Sequence, residues 1–166
     1  MDATESDVAP HGEVLETIDP DITDALIDVV SQQIELLTFD PEDSALMSRL
    51  IDSCADPREE MRLKLVELFG EIGEEATPVL VHALSNHPNP LVRRVCAKAL
   101  ARLGDPDAIP TLIHALMQDA DPMTQSSASG ALARMGEAAV PALLEVIESP
   151  TYPDAQKGQA GWALSC

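Results

Sequence analysis

Apolar residues recur along this chain at spacings of three and four. Between Leu91 and Leu103, the residues Val92, Val95, Cys96, Ala99, Leu100 and Leu103 fall on one helical face, and Arg94, Lys98 and Arg102 form a ridge on the opposite side. The pattern predicts an amphipathic helix with Cys96 turned inward. The residues that punctuate it recur as well. Gly73, Gly104 and Gly136 are spaced by 31 and 32 residues, and Pro78, Pro110 and Pro141 by 32 and 31. Each unit therefore reads as a helix opened by Asp-Pro or Asn-Pro, a stop at Gly, a short turn, and a second helix with Pro in its first turn. Asp and Asn cap helix N-termini, Pro loses nothing at the first helical position, and Gly takes the positive-φ conformation that ends a helix.

Three segments align on this punctuation: DPREEMRLKLVELFGEIGEEATPVLVHALSNH from Asp56, NPLVRRVCAKALARLGDPDAIPTLIHALMQDA from Asn89, and DPMTQSSASGALARMGEAAVPALLEVIESPT from Asp121. A fourth begins at Tyr152 as YPDAQKGQAGWALSC. One helix pair cannot bury its apolar stripe alone, so successive pairs must stack. The expected fold is all-α, an α-solenoid of about four helix pairs. Residues 1–12 read as a disordered acidic N-terminus and 13–166 as a single repeat domain. Within it, 20–55 form an acidic cap pair, 56–88, 89–120 and 121–151 are full repeats, and 152–166 is a partial one. The stretches DPDITDALIDVVSQQIELLTF and DPEDSALMSRLIDSCAD of the cap pair are also read as helices started by Asp-Pro.

Composition agrees with a helical core. Hydrophobic residues make up 45% of the 166, yet Phe39, Phe69, Tyr152 and Trp162 are the aromatic residues, which leaves Ala, Leu, Ile, Val and Met to fill the interior. The net charge of −19 is concentrated at one end. Residues 1–57 hold 15 acidic residues and one base, Arg49, a net of −14, whereas residues 58–166 carry a net of −5. Such a field repels nucleic acid and anionic lipid and either solubilises that face or attracts a basic partner. Cys54, Cys96 and Cys166 form no CxxC pair, which argues for a reducing compartment. The opening MDATESDVAPHGE lacks a basic and an apolar region, and no apolar run reaches the ~20 residues that cross a bilayer. The expected location is cytoplasmic.

The segments NPLVRRVCAKALARLGDPDAIPTLIHAL and DPMTQSSASGALARMGEAAVPALLEVI resemble HEAT-like repeats, and more narrowly the short variety of the phycobilisome-lyase family. The resemblance covers roughly residues 56–166. It implies a protein-binding module that handles phycobiliproteins or their bilin chromophores, in attachment or in phycobilisome degradation, as in cyanobacterial E/F-type bilin lyases. Related repeat proteins act as adaptors without chemistry, one type being linked to iron–sulfur carriers, and that is the alternative. No motif sharp enough to name catalytic residues accompanies the resemblance; if the chain is an enzyme, it is bilin lyase-like. No resident cofactor is expected beyond a transient bilin, and the expected partner is a phycobiliprotein subunit or related protein on the concave face. The sequence departs from the family pattern at Phe69 and Gly70, where the second unit has Leu100 and Ala101. It departs again at Gln125, which replaces an Arg that commonly steadies the repeat, so the third unit is expected to be looser.

In the register of the glycines, Glu67, Lys98, Gly130 and Trp162 form one ladder of equivalent positions, and Glu71, Arg102, Arg134 and Cys166 the next. Glu67 is expected to neutralise Lys98, and Glu71 to neutralise Arg102. Gly130 removes a side chain beside Trp162, which predicts a shallow notch with an indole on one wall and the Arg102 and Arg134 guanidinium groups below. Trp stacks on planar ligands and Arg grips carboxylates, the two features of a tetrapyrrole with propionate groups. Alternatively, Trp162 folds into the gap at Gly130 as packing. The candidate binding residues are thus Trp162, Gly130, Arg134, Arg102 and Lys98.

Other chemistry is poorly supported. His82 and His114 occupy equivalent positions with Glu145, but these fall on the solvent side of helices too far apart to share one ion, so no metal site is expected. Cys54 and Cys96 read as core thiols. There is no HExxH, no phosphate loop and no nucleophile–base spacing, and the basic channel that DNA-binding solenoids need is missing. The closing QAGWALSC matches GALAR of the third unit without the Gly that should follow, so the sequence is expected to be part of a longer repeat array. Residues beyond about Asp154 should then fray or rest on the third unit, and a longer chain should be more stable.

Overall fold

In the computed structural model, residues 19–166 are described, so the expectation for residues 1–12 lies outside them. Nine α-helices follow one another there: α1 (Pro20–Glu35), α2 (Ser44–Ser53), α3 (Glu59–Ile72), α4 (Thr77–Asn86), α5 (Pro90–Leu103), α6 (Ile109–Gln118), α7 (Pro122–Met135), α8 (Val140–Glu148) and α9 (Asp154–Ser165). They form an all-α solenoid. The odd-numbered helices stack as one row and the even-numbered helices as another, and the first row packs more extensively than the second. That row is the tighter side of the stack.

Local chemistry sets the helix limits. Gly73, Gly104 and Gly136 end α3, α5 and α7 at φ of 89°, 65° and 63°, a region that side chains with a Cβ resist. A short 3-10 turn follows each, and Pro78, Pro110 and Pro141 then sit in the first turns of α4, α6 and α8. Asn89 caps α5 through Leu91 N–H (2.9 Å), and Asp121 caps α7 through Thr124 N–H (3.0 Å).

Two starts differ from the Asp-Pro expectation. α2 begins at Ser44, capped by Asp43 through Leu46 N–H at 3.1 Å, so Asp40-Pro41 belongs to the preceding turn. α3 begins two residues late because Arg58 takes the N-cap position and engages Asp56 with both its backbone N–H (2.9 Å) and its guanidinium (2.9 Å). Arg58, and not Asp56, is therefore the equivalent of Asn89 and Asp121. The residues two positions before these caps play a common part, since Asp56, His87 and Asp119 each accept the N–H of the cap residue, at 2.9, 3.1 and 2.9 Å.

One continuous apolar core runs from α1 to α9. The equivalent positions Phe69, Leu100 and Leu132 are all fully buried, so the aromatic departure in the first unit fills the same slot as its aliphatic counterparts. Cys54 and Cys96 lie in this core as expected. The third unit keeps the steadying contact that Gln125 was expected to lose. Arg62 and Arg93 donate to the carbonyls six residues back, Asp56 (2.8 Å) and His87 (2.9 Å), and Gln125 donates to Asp119 in the same way at 2.8 Å. An amide N–H reaches the carbonyl as well as a guanidinium does, and what Gln lacks is the second bond. Arg93 uses its remaining N–H groups on the Asp119 carboxylate at 2.9 and 3.1 Å. At the far end α9 rests on α7 and α8, with Ala160 and Ala163 buried and Ser129 Oγ donating to Gln159 C=O at 3.1 Å.

Candidate functional site

The predicted site residues lie on the tighter row, which is built from α3, α5, α7 and α9. Each occupies the polar side of its helix because the opposite side is committed to the core. Lys98 is exposed while its neighbours Ala97 and Ala99 are fully buried, and Arg102 and Arg134 are exposed near the C-terminal ends of α5 and α7. At those ends the helix dipole favours cations.

The structure does not bring the candidate binding residues into one groove. Arg102 and Arg134 share an open groove of about 500 Å³ with Gly70, Glu71 and Glu74. Lys98 lines a neighbouring groove of about 180 Å³ with Leu63, Leu91 and Met123. Gly130 and Trp162 are not among the residues lining either groove. Trp162 is 54% exposed, and a Cβ built on Gly130 would meet nothing within 4 Å, so the indole does not fill the space above that glycine. The surface at Gly130 stays open.

The expected neutralising pairs do not close. Among the described residues, Lys98 forms no ion pair with Glu67 and Arg102 none with Glu71. Gly70 supplies the reason for Arg102. A Cβ at that position would lie 2.6 Å from Arg102 Nε and 2.9 Å from its Cδ, so the side chain lies across the α3 backbone and is not extended toward an acid. Gly70 stood in the sequence as a departure from the repeat. That it seats an arginine of the next unit depends on how α3 and α5 are placed side by side. The exposed apolar residues Leu63 and Met123 on the same row were also missed, because an apolar residue's exposure depends on what the adjacent helices cover.

Several other candidates are occupied by structural duties. Arg58 holds the Asp56 carboxyl down at about 2 through hydrogen bonds, against its own burial. Arg94 and Thr124 hold the Asp121 carboxyl well below the usual carboxylate range, Arg94 Nε lying 2.7 Å away. Both carboxylates are ionised at neutral pH and fully engaged, which suits them to holding the starts of α3 and α7 and not to proton transfer. Burial pushes the Cys96 thiol up to about 12 and raises that of Cys54 as well, so neither offers a thiolate. His87 places Nε2 3.0 Å from Asp52 and its Nδ1 3.1 Å from the Asn89 N–H it accepts, which assigns the Nε2–H tautomer. His82 and His114 are exposed, and among the described residues no three His, Cys, Asp or Glu side chains gather as a metal site would require. No helix there is long and apolar enough to cross a membrane.

A family model described as HEAT repeats matches residues 44–116 and again 77–165. The chain belongs to the HEAT-repeat family. It is also similar to a protein named "Bilin biosynthesis protein MpeU" from Synechococcus sp. (strain WH8020), at 33% identity over 94 residues. That match takes in 57% of this HEAT-repeat chain and 32% of the relative, so the chain spans about a third of the length of the curated protein it matches.

Proposed function

We propose that this HEAT-repeat chain is a protein-binding module of the phycobilisome-lyase type that handles phycobiliproteins or their bilin chromophores, in attachment or degradation. The observation that carries the reading is the joint presence, on one row of helices, of an exposed indole at Trp162, open space at Gly130, and a groove holding Arg102 and Arg134. A linear tetrapyrrole presents a planar conjugated system and two propionates. Trp162 would stack on the plane, and the two guanidinium groups would take the propionates through charge-assisted hydrogen bonds. Lys98, in the next groove, would meet an acidic group of the protein that carries the pigment. The similarity to a bilin biosynthesis protein over 94 residues supports this reading.

Trp162 is the chain's only tryptophan, so its emission reports on this surface alone. Titration with a linear tetrapyrrole should quench that emission and shift the visible band. Arg102→Ala with Arg134→Ala should weaken the effect by about tenfold or more, since hydrogen bonds between charged groups contribute about 1.5–3 kcal/mol each. Unchanged emission together with an unshifted band would overturn the pigment reading. The groove beside Lys98, with exposed Leu63 and Met123, favours a second reading as an adaptor for another protein, for example an iron–sulfur carrier. Pull-down from phycobilisome-bearing cells separates the two. Recovery of phycobiliprotein subunits supports pigment handling, and recovery of metal-cluster carriers supports the adaptor.

A further inference from the structure

A second surface, which shares no residue with the proposed pigment surface, lies on α1 and α2. The positions 22, 25, 26 and 29 of α1 follow the three-and-four spacing of an apolar stripe. Thr23, Leu26 and Val30 are buried, but Ile22 is 60% and Val29 48% exposed. With Leu46 of α2 they line a groove of about 860 Å³. Single exposed apolar residues are ordinary, but a stripe that forms the wall of a groove resembles the receiving half of a helix-in-groove contact. Asp19, Asp21 and Asp52 line the groove's polar edge together with Arg49, which is the one Lys or Arg in residues 1–57 against 15 acids, and Asp52, itself exposed, also lies 3.0 Å from His87 Nε2.

We infer that this groove docks a basic amphipathic helix of a partner protein, whose apolar stripe lies against Ile22, Val29 and Leu46 and whose flanking Lys and Arg residues meet the acidic rim. Charge selects this occupant over two others. A second copy of the chain would bring a net charge of −19 and the same acidic rim onto itself. The chain's own residues 1–18 hold five acids and neither Lys nor Arg, so their charge does not complement that rim. α1 spans 16 residues, about 24 Å at 1.5 Å per residue, so a partner helix of about four turns matches it. This inference does not depend on the pigment reading, because the two surfaces share no residue.

The test uses the full chain and a fluorescently labelled helical peptide of Leu and Lys in amphipathic order, with the same peptide carrying Glu in place of Lys as control. Anisotropy should show binding of the Lys peptide, weakening as salt is added, and none of the Glu peptide. Ile22→Asp with Val29→Asp should weaken binding about tenfold or more, as removal of central apolar anchors does. Asp21→Lys with Asp52→Lys should do the same while leaving the apolar stripe intact, and it decides the matter if the first pair proves unstable by circular dichroism. Equal binding of the Glu peptide, or unaltered affinity in both double variants, would overturn the inference. Two further results would reassign the groove and so also overturn it. One is a dimer in sedimentation equilibrium that Ile22→Asp dissolves. The other is tighter peptide binding after Val14→Asp with Leu15→Asp, which would make the chain's own N-terminal residues the occupant.

Discussion

Gly70 shows how one residue can act on a neighbouring repeat. It lies inside α3, where a glycine costs about 1 kcal/mol relative to alanine, and its missing Cβ is the space across which Arg102 lies. Gly70→Ala sets two effects against each other. The new methyl group would meet only the flexible Arg102 side chain, which can swing away at small cost, so the propensity gain should win and thermal stability should rise by up to about 1 kcal/mol. Arg102 would at the same time leave its seat, and tetrapyrrole affinity should fall. Differential scanning calorimetry and the tryptophan titration measure the two effects separately. A raised melting temperature with unchanged affinity would remove Arg102 from the binding surface. The unusual glycine is visible in the sequence as a break in the repeat, but its purpose belongs to a contact with a side chain of the next unit.

At the scale of helices, caps and carboxylates decide where each element starts. Stop signals were legible because a glycine at positive φ is a local requirement, and Gly73, Gly104 and Gly136 met it. Start signals were less so. Asp56 and Asp121 both precede proline, yet Asp121 caps its helix while Asp56 is held by Arg58. These carboxylates also make the elements sensitive to acid. Both have folded pKa values below their unfolded values, that of Asp56 being about 2 against about 3.9 for a free aspartate. A depressed carboxyl adds stability that is complete above the unfolded pKa and is lost as pH falls through the folded one. Urea midpoints should therefore drop between about pH 4 and about pH 2. Asp56→Asn with Asp121→Asn should flatten that drop, because Asn keeps an acceptor oxygen for the Arg58 and Thr124 backbone N–H groups but not the charge. An equally steep decline in the double variant would mean that other groups govern acid unfolding.

For the molecule as a whole, stacking and net charge oppose each other. The continuous core joins all nine described helices, whereas residues 19–166 hold 24 acidic against 10 basic side chains, and these repel within the same stack. Exposed like charges are screened over a Debye length of about 10 Å at 0.1 M salt, so adding salt up to about that concentration should raise the melting temperature. Exposed ion pairs contribute about 0–1 kcal/mol each, too little for their screening to reverse the trend. A melting temperature that falls over that range would instead show that the Arg58, Arg93 and Arg94 pairs dominate.

The sequence by itself determined the helical class, the repeat register, the glycine stops and the inward turn of Cys54 and Cys96. Each of these follows from chemistry within about one turn of a helix, or from a spacing that recurs. Only the tertiary structure decided that Gln125 does an arginine's work, that Arg102 lies over Gly70 without pairing with Glu71, and that Lys98 faces a different groove from Arg102. Those outcomes depend on where a long side chain points between adjacent helices. A difference of one rotamer, worth a fraction of the cost of misplacing a core residue, settles them, and no periodicity in the chain records it.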